Sequence, residues 1–149
     1  MLHISGPQWV LWVHVVAACI WIGGQITVAA VVPLLRRVGA GDAQGPGMAS
    51  AVGRRFQMIA WPAFAALAVT GVINVGNAGL QWSHLLDSDA GRTLAIKLGL
   101  VALSGAAAAL HAFVQAPRGR SAIWSASLGS LSLLAAVTAA LYGVAIAQQ

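Results

Sequence analysis

Four apolar runs decide the fold of this chain, and the first of them, from Trp9 to Leu35, reads WVLWVHVVAACIWIGGQITVAAVVPLL. The other three extend from Phe56 to Asn77, from Thr93 to Ala116 and from Ala122 to Ala147. Each run has at least the roughly 20 residues that an α-helix needs to cross the hydrocarbon core of a bilayer. The sequence therefore predicts an all-α, polytopic membrane protein whose four transmembrane helices form an antiparallel bundle.

The composition supports a membrane location independently of the four runs. Hydrophobic residues make up 59% of the chain, charged residues make up 7%, and the mean hydropathy is +0.82. This leaves too little polar surface to coat a soluble globular protein. A length of 149 residues accommodates one four-helix transmembrane domain, residues 1–149, and no second soluble domain. The single cysteine, Cys19, lies inside the first run and excludes an intramolecular disulfide.

Most of the basic residues lie in two of the three connections. They are Arg36, Arg37, Arg54 and Arg55 around the first connection, and Arg118 and Arg120 in the third. Because Lys and Arg in short loops are retained on the cytoplasmic side, we expect the first and third loops inside and both termini outside. The net charge of +5 also favours contact with anionic membrane lipids. The clustered basic and aromatic residues of a nucleic-acid interface are absent, so no nucleic-acid partner is expected.

The first and second connections differ in character. The first, Val38 to Gly53, is rich in Gly, Ala and Pro and predicts a loosely packed loop. The second, Ala78 to Gly91, combines apolar residues with helix-capping types and predicts a short turn on the outer face of the membrane.

Few ionisable side chains lie within the predicted helices, and such residues are by default candidates for function. At a rise of 1.5 Å per residue, His14 lies roughly 8 Å below the outer boundary, and Lys97 lies at a similar depth. His111 lies about 21 Å further along the same helix as Lys97, since 14 residues separate them. His14 and Lys97 are therefore predicted neighbours, whereas His111 is too far away to share a metal with His14.

Helical phase supports the same pairing. A stripe of polar and small residues in the first helix comprises His14, Ala18, Trp21, Gly24, Gln25 and Val28, and the third helix repeats Lys97, Ser104 and His111 every seven residues. Both stripes are predicted to face the interior of the bundle. A polar pocket in the outer third of the membrane is one interpretation. The alternatives are that His14 simply bonds to a neighbouring carbonyl and that the Lys97 amine reaches the headgroups.

Several short motifs resemble the bacterial copper-resistance D (CopD) family. The motifs are Trp12-Val13-His14 with Trp21-Ile22-Gly23-Gly24, Arg55-Phe56 with Pro62 and Thr70-Gly71, and Gly91-Arg92-Thr93-Leu94 with Lys97-Leu98. A similar pattern occurs in the related HemJ-type protoporphyrinogen oxidases. The resemblance extends over about two thirds of the chain, from Trp9 to Ala112. CopD-like proteins handle copper at the bacterial inner membrane, so the resemblance implies that localisation.

The HemJ-like part of the resemblance implies a site. In those proteins a histidine of the first helix and a lysine of the third are functional and b-type haem is associated with the bundle; His14 and Lys97 match these positions. The aromatic and histidine-containing segment that follows the first helix in HemJ is replaced here by Pro33-Leu34-Leu35-Arg36-Arg37. His111 does not align clearly with the downstream histidine in the third helix of that family. Protoporphyrinogen oxidation is therefore the alternative, and membership of the broader group is the primary prediction.

Haem b and copper are both candidate cofactors. One histidine suffices as a haem ligand, so we expect His14 to bind the iron, Lys97 to ligate it or pair with a propionate, and Trp21 and Trp82 to wall the ring. A second histidine ligand would have to come from His84 or from another protomer of a homo-oligomer. For copper, the chain start through His3 offers an amine, amides and an imidazole. The metal candidates are thus His14, His84 and His3.

No residue is assigned a catalytic role, and whether the protein is an enzyme stays open. None of Asp42, Asp87 and Asp89 lies in a predicted transmembrane helix, and no serine sits in a nucleophile motif. A third function class is therefore a non-catalytic accessory subunit of a larger membrane complex. Such a subunit would need no polar pocket.

Overall fold

A computed structural model describes residues 5–39, 45–80, 82, 85–115 and 122–147. It contains the helices α1 (Gly6–Val38), α2 (Gly45–Asn77), α3 (Asp89–Gln115) and α4 (Ala122–Ala147), and no strand occurs in these ranges. All four helices are long and apolar enough to cross a membrane: the mean hydropathy of the most apolar stretch is 2.1 in α1 and 1.8 in each of the others. The prediction of an all-α protein with four spanning helices is confirmed, and the chain is a multi-pass membrane protein.

The predicted first loop is wrong over most of its length. Helix α2 begins at Gly45, well before the apolar run that starts at Phe56, and α1 continues to Val38. Proline is tolerated in the first turn of a helix, where Pro46 lies, and the alanines that follow are strong helix formers. Apolar content marks only the membrane-buried part of a helix, and α2 extends beyond that part.

Side chains at the helix starts define where α1 and α3 begin. The Ser5 backbone N–H donates to Oε1 of Gln8 at 2.8 Å, which satisfies a backbone donor before α1. Ser88 caps α3, because its hydroxyl oxygen accepts from the Gly91 N–H at 3.1 Å. The carboxylate of Asp89 in the first turn of α3 adds a favourable charge at the positive end of the helix.

The chain divides into two compact units, residues 1–74 and 75–149. In the first unit, α1 packs on α2 through three rings that we call the aromatic cluster, Trp21, Trp61 and Phe64. The Trp21 ring centroid lies 4.6 Å from that of Phe64 and 5.9 Å from that of Trp61. Further along α1, Gly24 lies directly against the Phe56 ring. The absence of a side chain at Gly24 lets the two helices approach closely.

In the second unit, α3 and α4 are joined by a buried polar contact. The hydroxyl of Ser104 donates to the Ser132 carbonyl at 2.9 Å, and the hydroxyl of Ser132 donates to the Ser104 carbonyl at 2.9 Å. Both serines are 1% exposed. Small residues at a membrane helix interface allow such interhelical hydrogen bonds, which replace the hydrophobic force that lipid does not supply. Ser104, on the heptad face of α3, therefore faces α4.

Candidate functional site

His14 lies on the face of α1 that packs on α2. Its Nδ1 is 2.9 Å from the hydroxyl oxygen of Thr70, and the residue is half-buried. Gly71 adjoins the same ring, since a Cβ atom placed there would lie 3.4 Å from Cε1 of His14. The Thr70-Gly71 pair thus provides one polar partner for the imidazole and the space that the ring occupies.

The hydrogen bonds of Thr70 favour one tautomer of His14. Thr70 has one hydroxyl proton, and it donates this proton to the Ala66 carbonyl at 2.6 Å. While that proton points to the Ala66 carbonyl, the contact between Thr70 and His14 uses a proton on Nδ1 of His14, which Thr70 accepts. A neutral imidazole protonated on Nδ1 carries its lone pair on Nε2, one of the two ring nitrogens through which histidine binds metals.

Lys97 lies on α3, half-buried against α4. Its Nζ is 3.0 Å from the position that a Cβ atom would take on Gly143. Because Ser104 faces Ser132, antiparallel helices place Lys97 level with Ala139, one turn before Gly143. The amine therefore extends toward the end of α4, the direction expected of a lysine whose stem lies in apolar surroundings.

His111 also contacts α4, on the same face of α3 as Lys97 and Ser104. Its Nδ1 lies 2.7 Å from the Ser125 carbonyl, and its ring lies against Gly129, where a Cβ atom would be 3.6 Å from Cε1. A carbonyl oxygen only accepts, so Nδ1 of His111 donates. This hydrogen bond within the second unit gives His111 a structural role in joining α3 to α4.

The other predicted site residues are separate from these contacts or outside the described residues. Trp21 is 4% exposed within the aromatic cluster, two turns along α1 from His14. Trp82 belongs to the connection that follows α2 in the sequence, and its side chain is 47% exposed. His3 and His84 lie outside the described residues. Within the described ranges, no group of three or more His, Cys, Asp or Glu side chains is placed to hold a metal ion.

The sequence predicted His14 as a candidate site residue but did not predict Thr70 as its hydrogen-bond partner. In the sequence, Thr70 was noted only as part of the motif shared with the CopD family, although it is one of the few polar residues in the apolar run of α2. Its position near the end of α2, opposite the early part of α1 in an antiparallel pair, is the signal that identifies it. The predicted pairing of His14 with Lys97 joins residues of the two units and stays a prediction.

Comparison with known families and proteins places these residues in context. A family model described as copper resistance protein D (CopD) matches residues 50–148, about two thirds of the chain. The match includes Thr70 and Lys97, whereas His14 on α1 precedes it. Neither the curated proteins nor the solved structures include a match to this chain. Because the match extends over most of α2 and all of α3 and α4, the chain belongs to the CopD family of copper resistance membrane proteins.

Proposed function

We propose that this CopD-family protein binds a transition-metal centre through Nε2 of His14, as part of a copper-related role in the membrane. The observation that carries the proposal is the hydrogen-bond chain from His14 through Thr70 to the Ala66 carbonyl. Metal-binding histidines almost always donate their second ring N–H to a fixed partner, which sets the tautomer and orients the ring. Thr70 supplies such a partner within the bilayer.

The donor set helps to choose between the two candidate centres. Copper sites usually gather several imidazole, thiolate or thioether ligands, and the described residues form no cluster of three potential ligands. A b-type haem needs only one protein ligand on its iron, so His14 fits this group better. When bound, haem supplies one-electron redox chemistry; His14 would hold it, Thr70 would orient His14, and Lys97 would pair with a propionate or ligate the iron. Family membership favours copper as the ion that the protein handles.

The location of the site follows from the proposed topology. With the first and third loops in the cytoplasm of a bacterium, α1 and α3 both enter the inner membrane from outside. His14 and Lys97 then lie at similar depths in the outer leaflet. The protein would therefore bind copper or transfer an electron on the periplasmic side. We also propose that it acts there as a homo-oligomer or as part of a larger membrane complex.

Two alternative functions make different demands on the same residues. A HemJ-like protoporphyrinogen oxidase would use His14 and Lys97 together with haem, which the resemblance over the first three helices supports. A non-catalytic subunit would need neither residue, because its helices would pack through their small-residue faces alone. Cofactor content separates the second alternative from the first.

The deciding experiment is an absorption spectrum and metal analysis of the purified protein in detergent, after expression with added haem precursor or copper. We expect a Soret band that His14→Ala abolishes and Lys97→Gln weakens. His111→Ala is the matched control, since His111 is the other described intramembrane histidine and also donates from Nδ1. Copper retained without a Soret band would favour ion handling. Absence of both, or equal retention in His14→Ala and wild type, would contradict the proposal and favour the subunit function.

A further inference from the structure

Hydrogen bonds from side chains of α3 to main-chain carbonyls of α4 recur at an interval of seven residues. Near the middle of α3, the Ser104 hydroxyl donates to the carbonyl of Ser132 at 2.9 Å. Seven residues further along α3, Nδ1 of His111 donates to the carbonyl of Ser125 at 2.7 Å. Seven residues also separate Ser125 from Ser132 on α4. A seven-residue step is about 10 Å and close to two full turns, so the same faces of the two helices meet at each step.

The next step of this series falls on Lys97. Seven residues before Ser104 on α3 lies Lys97, and seven residues after Ser132 on α4 lies Ala139. Because the two helices are antiparallel, the register of the two observed hydrogen bonds places Lys97 opposite Ala139. Ala139 is buried, at 4% exposed, as expected for a residue on the face of α4 that packs on α3.

Glycines on α4 make its carbonyls accessible to α3. In an α-helix each carbonyl bonds to the N–H four residues later, and the Cβ atom at that later residue leans back over the carbonyl. A side chain there covers the second lone pair of the oxygen, whereas glycine leaves it open. Gly129 lies four residues after Ser125, and the His111 ring occupies the space where a Cβ atom would be 3.6 Å from Cε1. Gly143 lies four residues after Ala139 in the same way.

The Lys97 amine already lies beside the opening at Gly143. Its Nζ is 3.0 Å, and its Cε 3.5 Å, from the position that a Cβ atom would take on Gly143. In this conformation the amine forms no hydrogen bond with any described residue. A half-buried amine without a partner is unfavourable, because an ammonium group has three donors and no acceptor. The acceptor that the series offers at this point is the Ala139 carbonyl.

We propose that Gly143 is a positioning residue for Lys97, because it exposes the Ala139 carbonyl as the hydrogen-bond acceptor of the Lys97 amine. Rotation about the last bonds of the lysine side chain is sufficient, since the amine is already next to Gly143. The hydrogen bond holds a flexible side chain against α4 at one depth in the membrane. A fixed amine favours the role of Lys97 toward a metal centre, and that consequence rests on the proposed function, whereas the hydrogen bond itself does not.

Lys97 is the single lysine of the chain, so its amine can be observed selectively. Solid-state NMR of the protein in lipid, with ¹⁵N at the lysine Nζ and ¹³C at the alanine carbonyls, measures the distance from this nitrogen to the nearest labelled carbon by dipolar dephasing. We expect about 4 Å, because an N···O distance of about 2.9 Å is extended by a C=O bond of about 1.2 Å. Ala139→Gly keeps the acceptor but removes its label, and should abolish the dephasing. Ala140→Gly, at the neighbouring exposed position, should leave the dephasing unchanged.

A pair of glycine substitutions tests the role of Gly143. Gly143→Val places carbon atoms where the amine lies and covers the Ala139 carbonyl, so it should remove most of the dephasing. Gly99→Val is the matched control, because Gly99 is exposed on α3 and a Cβ atom there meets nothing within 4 Å. If Ala139→Gly does not fold, these two variants still decide the question.

Three results would overturn the proposal: no dephasing in the wild type, dephasing that persists in Ala139→Gly, or equal dephasing in Gly143→Val and Gly99→Val. The second result would mean that another carbonyl accepts from the amine. The samples contain no added metal or haem, so these outcomes are independent of the Soret band that tests the metal centre. Loss of the metal-centre proposal would likewise leave the hydrogen bond between Lys97 and Ala139 open to confirmation.

Discussion

Thr70 is the residue whose role is defined most sharply by the hydrogen bonds around it. Replacement by valine keeps the shape of the side chain but removes the acceptor for Nδ1 of His14. The imidazole then loses its fixed tautomer and orientation. We predict that Thr70→Val weakens haem or copper binding by about 10- to 100-fold, the usual effect of removing a partner that orients a ligand. Equilibrium titration of the purified apo-protein, followed by absorption, measures this loss.

Thr70→Ser is the control for that measurement, because serine keeps the hydroxyl that accepts from His14 and donates to Ala66. Its affinity should stay close to that of the wild type. If Thr70→Val binds the metal centre as tightly as wild type while His14→Ala does not, Thr70 fills space beside the ligand without orienting it.

Depth and phase selected His14 and Lys97 as candidates, and phase also grouped Ser104 and His111 on one face of α3, the face that contacts α4. Both quantities follow from the fixed rise and turn of an α-helix. The partners Thr70, Gly143 and Ser125 were not predicted. Which residue of one helix lies opposite which residue of the next depends on the axial register of the pair, and local contacts such as Gly24 against Phe56 set that register. The periodicity of one sequence does not reveal the axial register between two helices.

At the scale of helix pairs, the contact between Gly24 and Phe56 determines how closely α1 approaches α2. A methyl group at Gly24 would overlap the Phe56 ring, so either the ring or the helices must move. We predict that Gly24→Ala lowers the free energy of unfolding by about 1–3 kcal/mol, the cost of overpacking a close contact. Thermal unfolding in detergent, followed by circular dichroism, measures the change.

The neighbouring glycine provides a matched control for this pair. A Cβ atom at Gly23 meets nothing within 4 Å, so Gly23→Ala should be neutral or slightly stabilising through the better helix propensity of alanine. Phe56→Leu combined with Gly24→Ala should recover part of the lost stability, since it removes the ring. Equal destabilisation by both glycine substitutions would show that backbone flexibility, and not the Phe56 contact, is what α1 requires.

The residues at which the helices begin and end were harder to predict than the presence of the four helices. The apolar runs located all four helices because a transmembrane segment must be apolar over its whole buried length. Outside the bilayer that constraint ends, and Gly45 to Gly53 continue α2 although their Gly and Pro content predicted a loop. The same reasoning explains α3, which begins at Asp89 because Ser88 caps it there, before the apolar run.

At the scale of the whole molecule, the orientation in the membrane determines which compartment His14 and Lys97 face. Two glycines with open surroundings are suitable reporters: Gly6 at the start of α1 and Gly47 at the start of α2. In a Cys19→Ser background, which removes the single natural cysteine, we predict that Gly6→Cys reacts with a membrane-impermeant maleimide in intact spheroplasts. Gly47→Cys should react only after permeabilisation, since the arginines near it are retained inside.

The reverse labelling pattern would invert the orientation and with it the proposed periplasmic side of the metal site. Labelling of both cysteines in intact spheroplasts would mean that α1 does not cross the bilayer, and the depth shared by His14 and Lys97 would have no basis. The predicted pattern leaves α1 and α3 entering from the same side, because each additional crossing reverses direction. The proposed placement of His14 and Lys97 in the same leaflet requires this pattern, since each lies about five residues inside its helix.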